Sequence, residues 1–324
     1  MEKERLGLPN ENFIASQLEC GHTAQINNLI VFDNSKDQNS PQIVSCSNDK
    51  SIIIWDVLSG SIIRTIKGAH SKDITSVAMF VHPDVKQTGA FSLASCSNGK
   101  IILWDFSLNL STRTKKSCHQ VTALTVFDPK YNINNPISIV ADIKGNINIW
   151  DIIKLNLLLK ISDHANRINS VSVCRVHPLT SDFYLLTSDG DHYIKIRMIS
   201  VIDNVIREVE NMKRTLKFEA LFLSLSLIAI PSNADNNIVY LVKGGTEHDP
   251  IRLWKVDDLL QLRKDIVIDE VMLPKGWKLE EEYGEDDTKI VRCITSYAFD
   301  KETKSILMVT GGYDNTAKLW RFKA

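Results

Sequence analysis

Short apolar runs alternate with polar turns along the whole chain. Residues 44–47 are followed by Asn48-Asp49-Lys50, which bend easily, and then by 52–55, a β-branched and aromatic run. This strand–turn–strand unit returns. Ser95-Cys96-Ser97-Asn98-Gly99-Lys100 leads into Ile101-Ile102-Leu103-Trp104-Asp105, and Lys144-Gly145-Asn146 leads into Ile147-Asn148-Ile149-Trp150-Asp151. Near the C-terminus, Gly311-Gly312-Tyr313-Asp314-Asn315 leads into Thr316-Ala317-Lys318-Leu319-Trp320. Chance does not produce four such occurrences, so an all-β repeat protein is predicted.

The tryptophan supplies the phase. It falls at Trp55, Trp104, Trp150, Trp254 and Trp320, and Arg197 takes its place when 187–197 is aligned with the opening stretch. Each interval holds one four-stranded unit of roughly 40 residues plus loops. Six units are therefore expected, at approximately 20–60, 68–108, 117–155, 162–200, 218–258 and 287–323 of a single domain. The units open on a polar lead-in to an apolar strand: Gly21-His22, Ala69-His70, Cys118-His119 and Asp163-His164. In the sixth, Asp287 stands where a histidine would be, and the fifth has no recognisable lead-in.

Composition narrows the class. Hydrophobic residues make up 44%, ample for a core, and 38 basic against 39 acidic residues leave a net charge of −1. That balance argues against a dedicated nucleic-acid surface. The longest apolar stretch, 220–230, is far short of the ~20 residues a membrane span needs, and the charged N-terminus has no signal core. Cysteines lack metal-ligand spacing and read as small buried hydrophobes of a reducing compartment. A cytoplasmic or nuclear protein with no cofactor and no metal is expected.

Gly21-His22 with Trp55-Asp56, Trp104-Asp105 and Trp150-Asp151 resembles the WD-repeat (Trp-Asp repeat) β-propeller family over nearly the whole chain. The resemblance implies that residues 12–18 form the outer strand of the last blade, closing the ring as a clasp. It implies loops 33–42, 82–89 and 128–136 on one face, and the insertion 273–289 on the opposite, top face. Residues 201–217, of mixed charge, are expected to interrupt the fourth and fifth units and to be partly helical.

His22, Ser45, Asp49 and Trp55 have the composition of a hydrolase triad beside an aromatic ring. The resemblance implies instead a hydrogen-bonded network within each blade, in which Ser satisfies the Trp N–H and hands on to His and Asp. The set recurs as His70, Ser95 and Trp104, then as His164, Thr187 and Asp191 with Arg197. A structural device recurs per blade, whereas an active site has no reason to. No Gly-x-Ser-x-Gly elbow surrounds Ser45, and Gly244-Gly245 and Gly311-Gly312 fall where strand turns are due. Arg197, replacing an indole, must find an acceptor, and Asp191 or Glu219 is expected to supply it.

No catalytic residue is assigned, which leaves the faces. The resemblance implies top-face contacts at Gln25, Asp73, Arg167 and Ile290, and at Asn48, Asn98, Gly190 and Tyr313. Arg167, Trp277, Tyr283 and Tyr313 are the candidate partner-binding residues, because Trp, Tyr and Arg dominate binding hot spots. Trp277 and Tyr283 sit among Glu280, Glu281, Glu282, Glu285, Asp286 and Asp287, a setting that suits a basic peptide. The expected function is a non-enzymatic scaffold, a monomeric ring within a larger complex. Alternatives are an open ring completed by a partner's blade, and an enzyme with its site at the propeller mouth. The chain opens on Met1 and ends soon after Trp320, so any effector is expected to act in trans.

Overall fold

The computed structural model describes residues 21–32, 42–56, 61–81, 90–96, 99–105, 110–117, 119–129, 135–177, 179–202, 205–218, 225–231, 237–243, 252–261, 266–268, 291–300, 305–312 and 317–323. Among them the strands form six sheets, five of them meanders of consecutive antiparallel strands and the fourth such a meander with one further strand added. The first holds β1 (Ile26–Phe32), β2 (Gln42–Ser47), β3 (Ile52–Asp56) and β4 (Ile62–Ile66). The second holds β5 (Ile74–Val81), β6 (Ala90–Cys96), β7 (Lys100–Asp105) and β8 (Leu110–Lys116). The third holds β9 (Val121–Phe127), β10 (Ile137–Asp142), β11 (Asn146–Asp151) and β12 (Leu157–Ser162).

The fourth sheet is built differently. It comprises β13 (Ile168–Arg175), β14 (Phe183–Asp189), β15 (Tyr193–Ile202), β16 (Val205–Phe218) and, beyond them, β20 (Ile266–Ile268). The stretch 201–217, expected to be partly helical, is thus the end of β15 and most of a long outer strand. The fifth sheet holds β17 (Leu225–Pro231), β18 (Asn237–Lys243) and β19 (Arg252–Lys255). Chain order then gives helix α1 (Val256–Gln261), whose Val256, Leu259 and Leu260 pack into the core between the fourth and fifth sheets. From there the chain crosses back, and β20 pairs parallel to the edge of β16 at Leu216, Lys217 and Phe218. The sixth sheet holds β21 (Val291–Asp300), β22 (Ser305–Gly312) and β23 (Ala317–Lys323). The expected clasp, 12–18, and the insertion 273–289 lie outside the described residues.

Burial follows strand order. Every residue of β10 and β14 is buried, as expected for central strands covered on both faces, whereas the outer β4 and β12 keep most of their residues at least partly exposed. The first strands touch in cyclic order, β1 to β5, β5 to β9, β9 to β13, β13 to β17, β17 to β21 and β21 to β1. Their free edges would leave backbone donors and acceptors unpaired, and side chains of the preceding unit satisfy several of them. Asn28 Oδ1 accepts from the Val77 amide, Ser76 Oγ bonds both N and O of Leu124, and Ser170 Oγ bonds both N and O of Leu225. In the third unit the same position is Ala123, which has no such group. The third and fourth units are joined instead by Phe127 against Phe183, ring centroids 4.5 Å apart, and by Arg175 over the Phe127 ring.

The outer strands carry a bulge beside the tryptophan. Ile54 faces Arg64 but Trp55 faces Ile62, so Ile63 is extra, and Thr112 and Leu158 are extra in the next two units. In the fourth, Arg197 faces Lys213 while Ile199 faces Glu208, so residues 209–212 leave the ladder, with Asn211 in the left-handed region.

Candidate functional site

The turn between the second and third strands sets one geometry four times. Lys50, Gly99, Gly145 and His192 all have positive φ at the equivalent position, two residues before the third strand's first buried isoleucine. That alignment assigns every other side chain around the turn.

In the first unit the four predicted residues meet. Trp55 Nε1 donates to Ser45 Oγ at 2.9 Å, Ser45 Oγ lies 2.8 Å from His22 Nε2, and His22 Nδ1 lies 2.9 Å from Asp49 Oδ2. A carboxylate only accepts, so Nδ1 carries the proton and Nε2 accepts from the Ser45 hydroxyl. Asp49 also takes the Thr23 amide and, through Oδ1, the Ser51 amide and hydroxyl. Burial lowers the His22 pKa against the opposing pull of Asp49. Burial would raise that of Asp49, but bonds from Ser51, His22 and Thr23 outweigh it and hold the carboxyl below its usual range.

The fourth unit builds the same pair from another position. His164 Nε2 lies 2.8 Å from Thr187 Oγ1, and Nδ1 lies 2.8 Å from Asp189, not from the expected Asp191. Asp189 occupies the place of Ser47, at the end of the second strand, and its Oδ1 takes the amides of Asp191 and Tyr193. Asp191, two residues further on in the turn, bonds Asn166 at the surface instead. The third unit follows the fourth: His119 Nδ1 lies 3.1 Å from Asp142, whose Oδ1 takes the amides of Lys144 and Asn146. Val140 replaces the serine there, so His119 has no hydroxyl to hold its other nitrogen and its side chain is 41% exposed. Asp142 and Asp189 were missed from sequence; the signal was an acid three residues before the turn glycine or its equivalent.

The second unit departs further. His70 is buried, yet among the described residues neither of its ring nitrogens has a hydrogen-bond partner, and Trp104 Nε1 has none. Asn98 stands where Asp49 does, and Ser95 lies on β6 with its side chain outside the described set. Burial, with Lys100 adding to it, pushes the His70 pKa down to about 4.

Arg197 is fully buried and does not pair with Asp191, and Glu219 lies outside the described residues. Its Nη1 lies 3.1 Å from Asp163 Oδ2, off the N–H axis, its Nη2 donates to Asp163 Oδ1 at 3.3 Å, and Glu208 lies 3.6 Å away. Lys213 reaches the same carboxylate at 2.6 Å and Lys195 at 3.7 Å. Burial opposes the Asp163 charge, but Arg197 and Lys213 prevail and hold its carboxyl well below the usual range. Both new partners were invisible to sequence reading, because Asp163 looks like ordinary lead-in polarity and Glu208 lies beyond the bulge.

Of the candidate binding residues, Trp277, Tyr283 and Tyr313 lie outside the described residues. Arg167 is exposed at the entry to β13. Two pairs of the expected top-face positions are tied through backbone, Asn48 N to Gln25 O and Gly190 N to Arg167 O, and Ile143 N to Gln120 O is the equivalent bond of the third unit, each 3.0 Å. Among the described residues no group of His, Cys, Asp or Glu could hold a metal ion, and no helix is long and apolar enough to cross a membrane.

The WD domain, G-beta repeat model matches residues 11–56, 60–105 and 279–321. The chain is 24% identical over 153 residues to autophagy-related protein 16 of Arabidopsis thaliana, a match covering 45% of this chain and 26% of that protein. It is 30% identical over 138 residues to COMPASS component SWD3 of Saccharomyces cerevisiae, covering 41% of this chain and 40% of that protein. These matches thus span well under half of either relative. The solved structure of RRP9 WD40 repeats superposes with a TM-score of 0.56 at 15% identity, covering 93% of this chain and 77% of that one. The structure of U3-55K superposes with the same TM-score and covers 78% of that chain. At that identity the likeness is one of fold, the all-β propeller.

Proposed function

We propose that this chain, a member of the WD-repeat β-propeller family, works as a non-enzymatic scaffold that binds protein partners through its loop faces. One observation carries the reading: the residues that look catalytic are sealed. Ser45 is 1% exposed and His22 5%, and the Ser45 oxygen already receives the Trp55 N–H. A nucleophile needs a free face toward substrate, and this hydroxyl has none. Thr187 and His164 are buried in the same way. What remains for function is the exposed loops, where recognition by propellers resides.

We read the fold as six blades closed by residues 12–18, with Arg167, Trp277, Tyr283 and Tyr313 facing a basic segment of a partner. Supporting this, β20 runs parallel to β16 and ends beside the second-to-third-strand turn of the fourth unit, and β21 starts beside the end of β22, where the equivalent turn begins. A relative described as a COMPASS component acts within an assembly, which suits a ring working inside a larger complex. The site of action would be cytoplasmic or nuclear. The test is affinity purification from the native source with wild type, Trp277→Ala and a charge-reversed Glu280/Glu281/Glu282 variant, with on-rates measured at two salt concentrations. Loss of one shared partner from both variants and a salt-sensitive on-rate are expected; unchanged recovery with a salt-independent on-rate would place the partner elsewhere.

A second reading has its own observation. The fifth and sixth sheets hold three strands each among the described residues, as in an open ring that a partner's strand completes. Native mass spectrometry of the chain lacking residues 1–19 separates the two. A well-behaved monomer that gains nothing from residues 1–19 favours the open ring.

A further inference from the structure

One strand lies in a sheet that is not its own. β20 leaves the fifth unit and pairs parallel with the outer edge of β16, where Leu216 faces Ile266, Lys217 faces Val267 and Phe218 faces Ile268. In every other sheet the described strands neighbour only strands consecutive with them in the chain. The outer strands β4, β8 and β12 end their sheets with no fifth strand among the described residues. The edge of β16 differs from theirs in having accepted a strand from outside its unit.

The resident strand is held by little. It contributes three residues, and a parallel ladder is slightly less stable per residue than an antiparallel one. The chain is anchored just before it, because α1 buries Val256, Leu259 and Leu260 and touches β16, β18 and β19. Leu216 is buried in that same apolar cluster. Positions that face each other in a ladder share a face of the sheet, and the faces alternate along the strand. The outer two positions of the ladder therefore share the face of buried Leu216. The middle one shares the face of exposed Lys217, whose Nζ lies 5.4 Å from the centre of the Tyr193 ring. Upstream, a side chain closes part of the edge: Arg214 Nη1 donates to the carbonyls of Asn211 and Lys213. A three-residue strand and a guanidinium are covers that a longer strand can replace, since main-chain bonds do not depend on whose chain supplies them.

We propose that the edge of β16 over residues 213–218 docks an extended segment of a partner protein, which pairs parallel with it in place of β20. The register defines the segment: apolar, β-branched residues at the positions of Ile266 and Ile268, on the face of Leu216. The site is self-competitive. A tethered strand acts at an effective concentration on the order of millimolar, so only a longer or better-matched segment displaces it. This surface is a strand edge recognised through main chain, not a loop face.

The probe is a fluorescein-labelled peptide with the sequence of this chain's own residues 263–271. Its control is the same peptide N-methylated at the residues corresponding to 266–268, which cannot donate to a ladder. Anisotropy is read on the full chain, and hydrogen exchange locates the footprint. Val267→Pro removes a donor from β20 and should bind the peptide about tenfold more tightly than wild type does, with protection confined to 213–218. The N-methylated peptide should lose about that much affinity. Lys217→Cys with Val267→Cys places two thiols at facing ladder positions, within reach of a disulfide. Oxidation should lock β20 in place and weaken peptide binding about tenfold relative to the reduced form. α1 stays packed in both variants, so melting temperature should hold; the oxidised and reduced lock decides the matter should Val267→Pro misfold. No binding by folded Val267→Pro, equal affinity of the locked and reduced chains, an equally bound N-methylated peptide, or a footprint elsewhere overturns the proposal.

Discussion

The Asp163 carboxylate lies 3.1 Å from the Arg197 guanidinium, and these two residues hold the positions that Gly21 and Trp55 hold in the first unit. There the lead-in residue packs on the indole so closely that a Cβ on Gly21 would stand 2.0 Å from Trp55 Cη2. In the second unit Ala69 and Trp104 share one apolar cluster. A small residue against an aromatic has become an acid against a base, and the two positions have changed together.

Asp163→Ala is therefore expected to destabilise by about 3 kcal/mol, because it leaves fully buried Arg197 with Glu208 alone. Arg197→Met should lose less, since Asp163 keeps Lys213 at 2.6 Å. The double change Asp163→Gly with Arg197→Trp should recover most of the first loss. Urea unfolding of the three variants decides it: a double variant no more stable than Asp163→Ala would show that the positions are not coupled.

Ser45→Ala and His22→Ala should each cost roughly 1–3 kcal/mol, by leaving a buried partner unmet. Together they should cost less than their sum, because one network is broken either way. Ser45 should resist fluorophosphonate labelling in the folded protein; a labelled Ser45 would revive the hydrolase reading.

Gly68 and Gly145 both have positive φ, but their surroundings differ. A Cβ on Gly68 meets nothing within 4 Å, whereas one on Gly145 would lie 2.2 Å from the His164 carbonyl oxygen. Gly68→Ala should cost about 1 kcal/mol of backbone strain. Gly145→Ala should cost about 3 kcal/mol, because backbone must also move. Equal melting temperatures for the two would contradict the close approach.

Stability should fall on acidification, and His70 should contribute. Its folded pKa, about 4, lies below the ordinary 6.5, so between those values the unfolded chain binds the proton more readily. The stability that neutral His70 confers is complete above pH 6.5 and is lost as pH falls toward 4, up to about 3 kcal/mol. His22 and His164 shift in the same direction. His70→Leu should flatten the profile of unfolding midpoint against pH between 7 and 4. Parallel profiles for variant and wild type would mean that His70 is not protonated on unfolding.

What the sequence determined by itself is what chain-local physics encodes. Alternation, turn residues and the spaced His, Ser, Asp and Trp of the first unit foretold strands, repeat and network, since each depends on residues a fixed few positions apart. Lys50, Gly99, Gly145 and His192 mark one turn four times for the same reason. Tertiary structure decided the rest. A carboxylate can reach one imidazole from either of two positions, so choosing Asp189 over Asp191 needed the strand end and the turn in space. Arg197 took its partners from a lead-in and from beyond a bulge, because Coulomb attraction in a buried site depends on distance and desolvation, not on separation along the chain. The edge of β16 is a row of backbone donors and acceptors that any strand can satisfy. Nothing in Ile266-Val267-Ile268 announced that they would leave their own unit to do so.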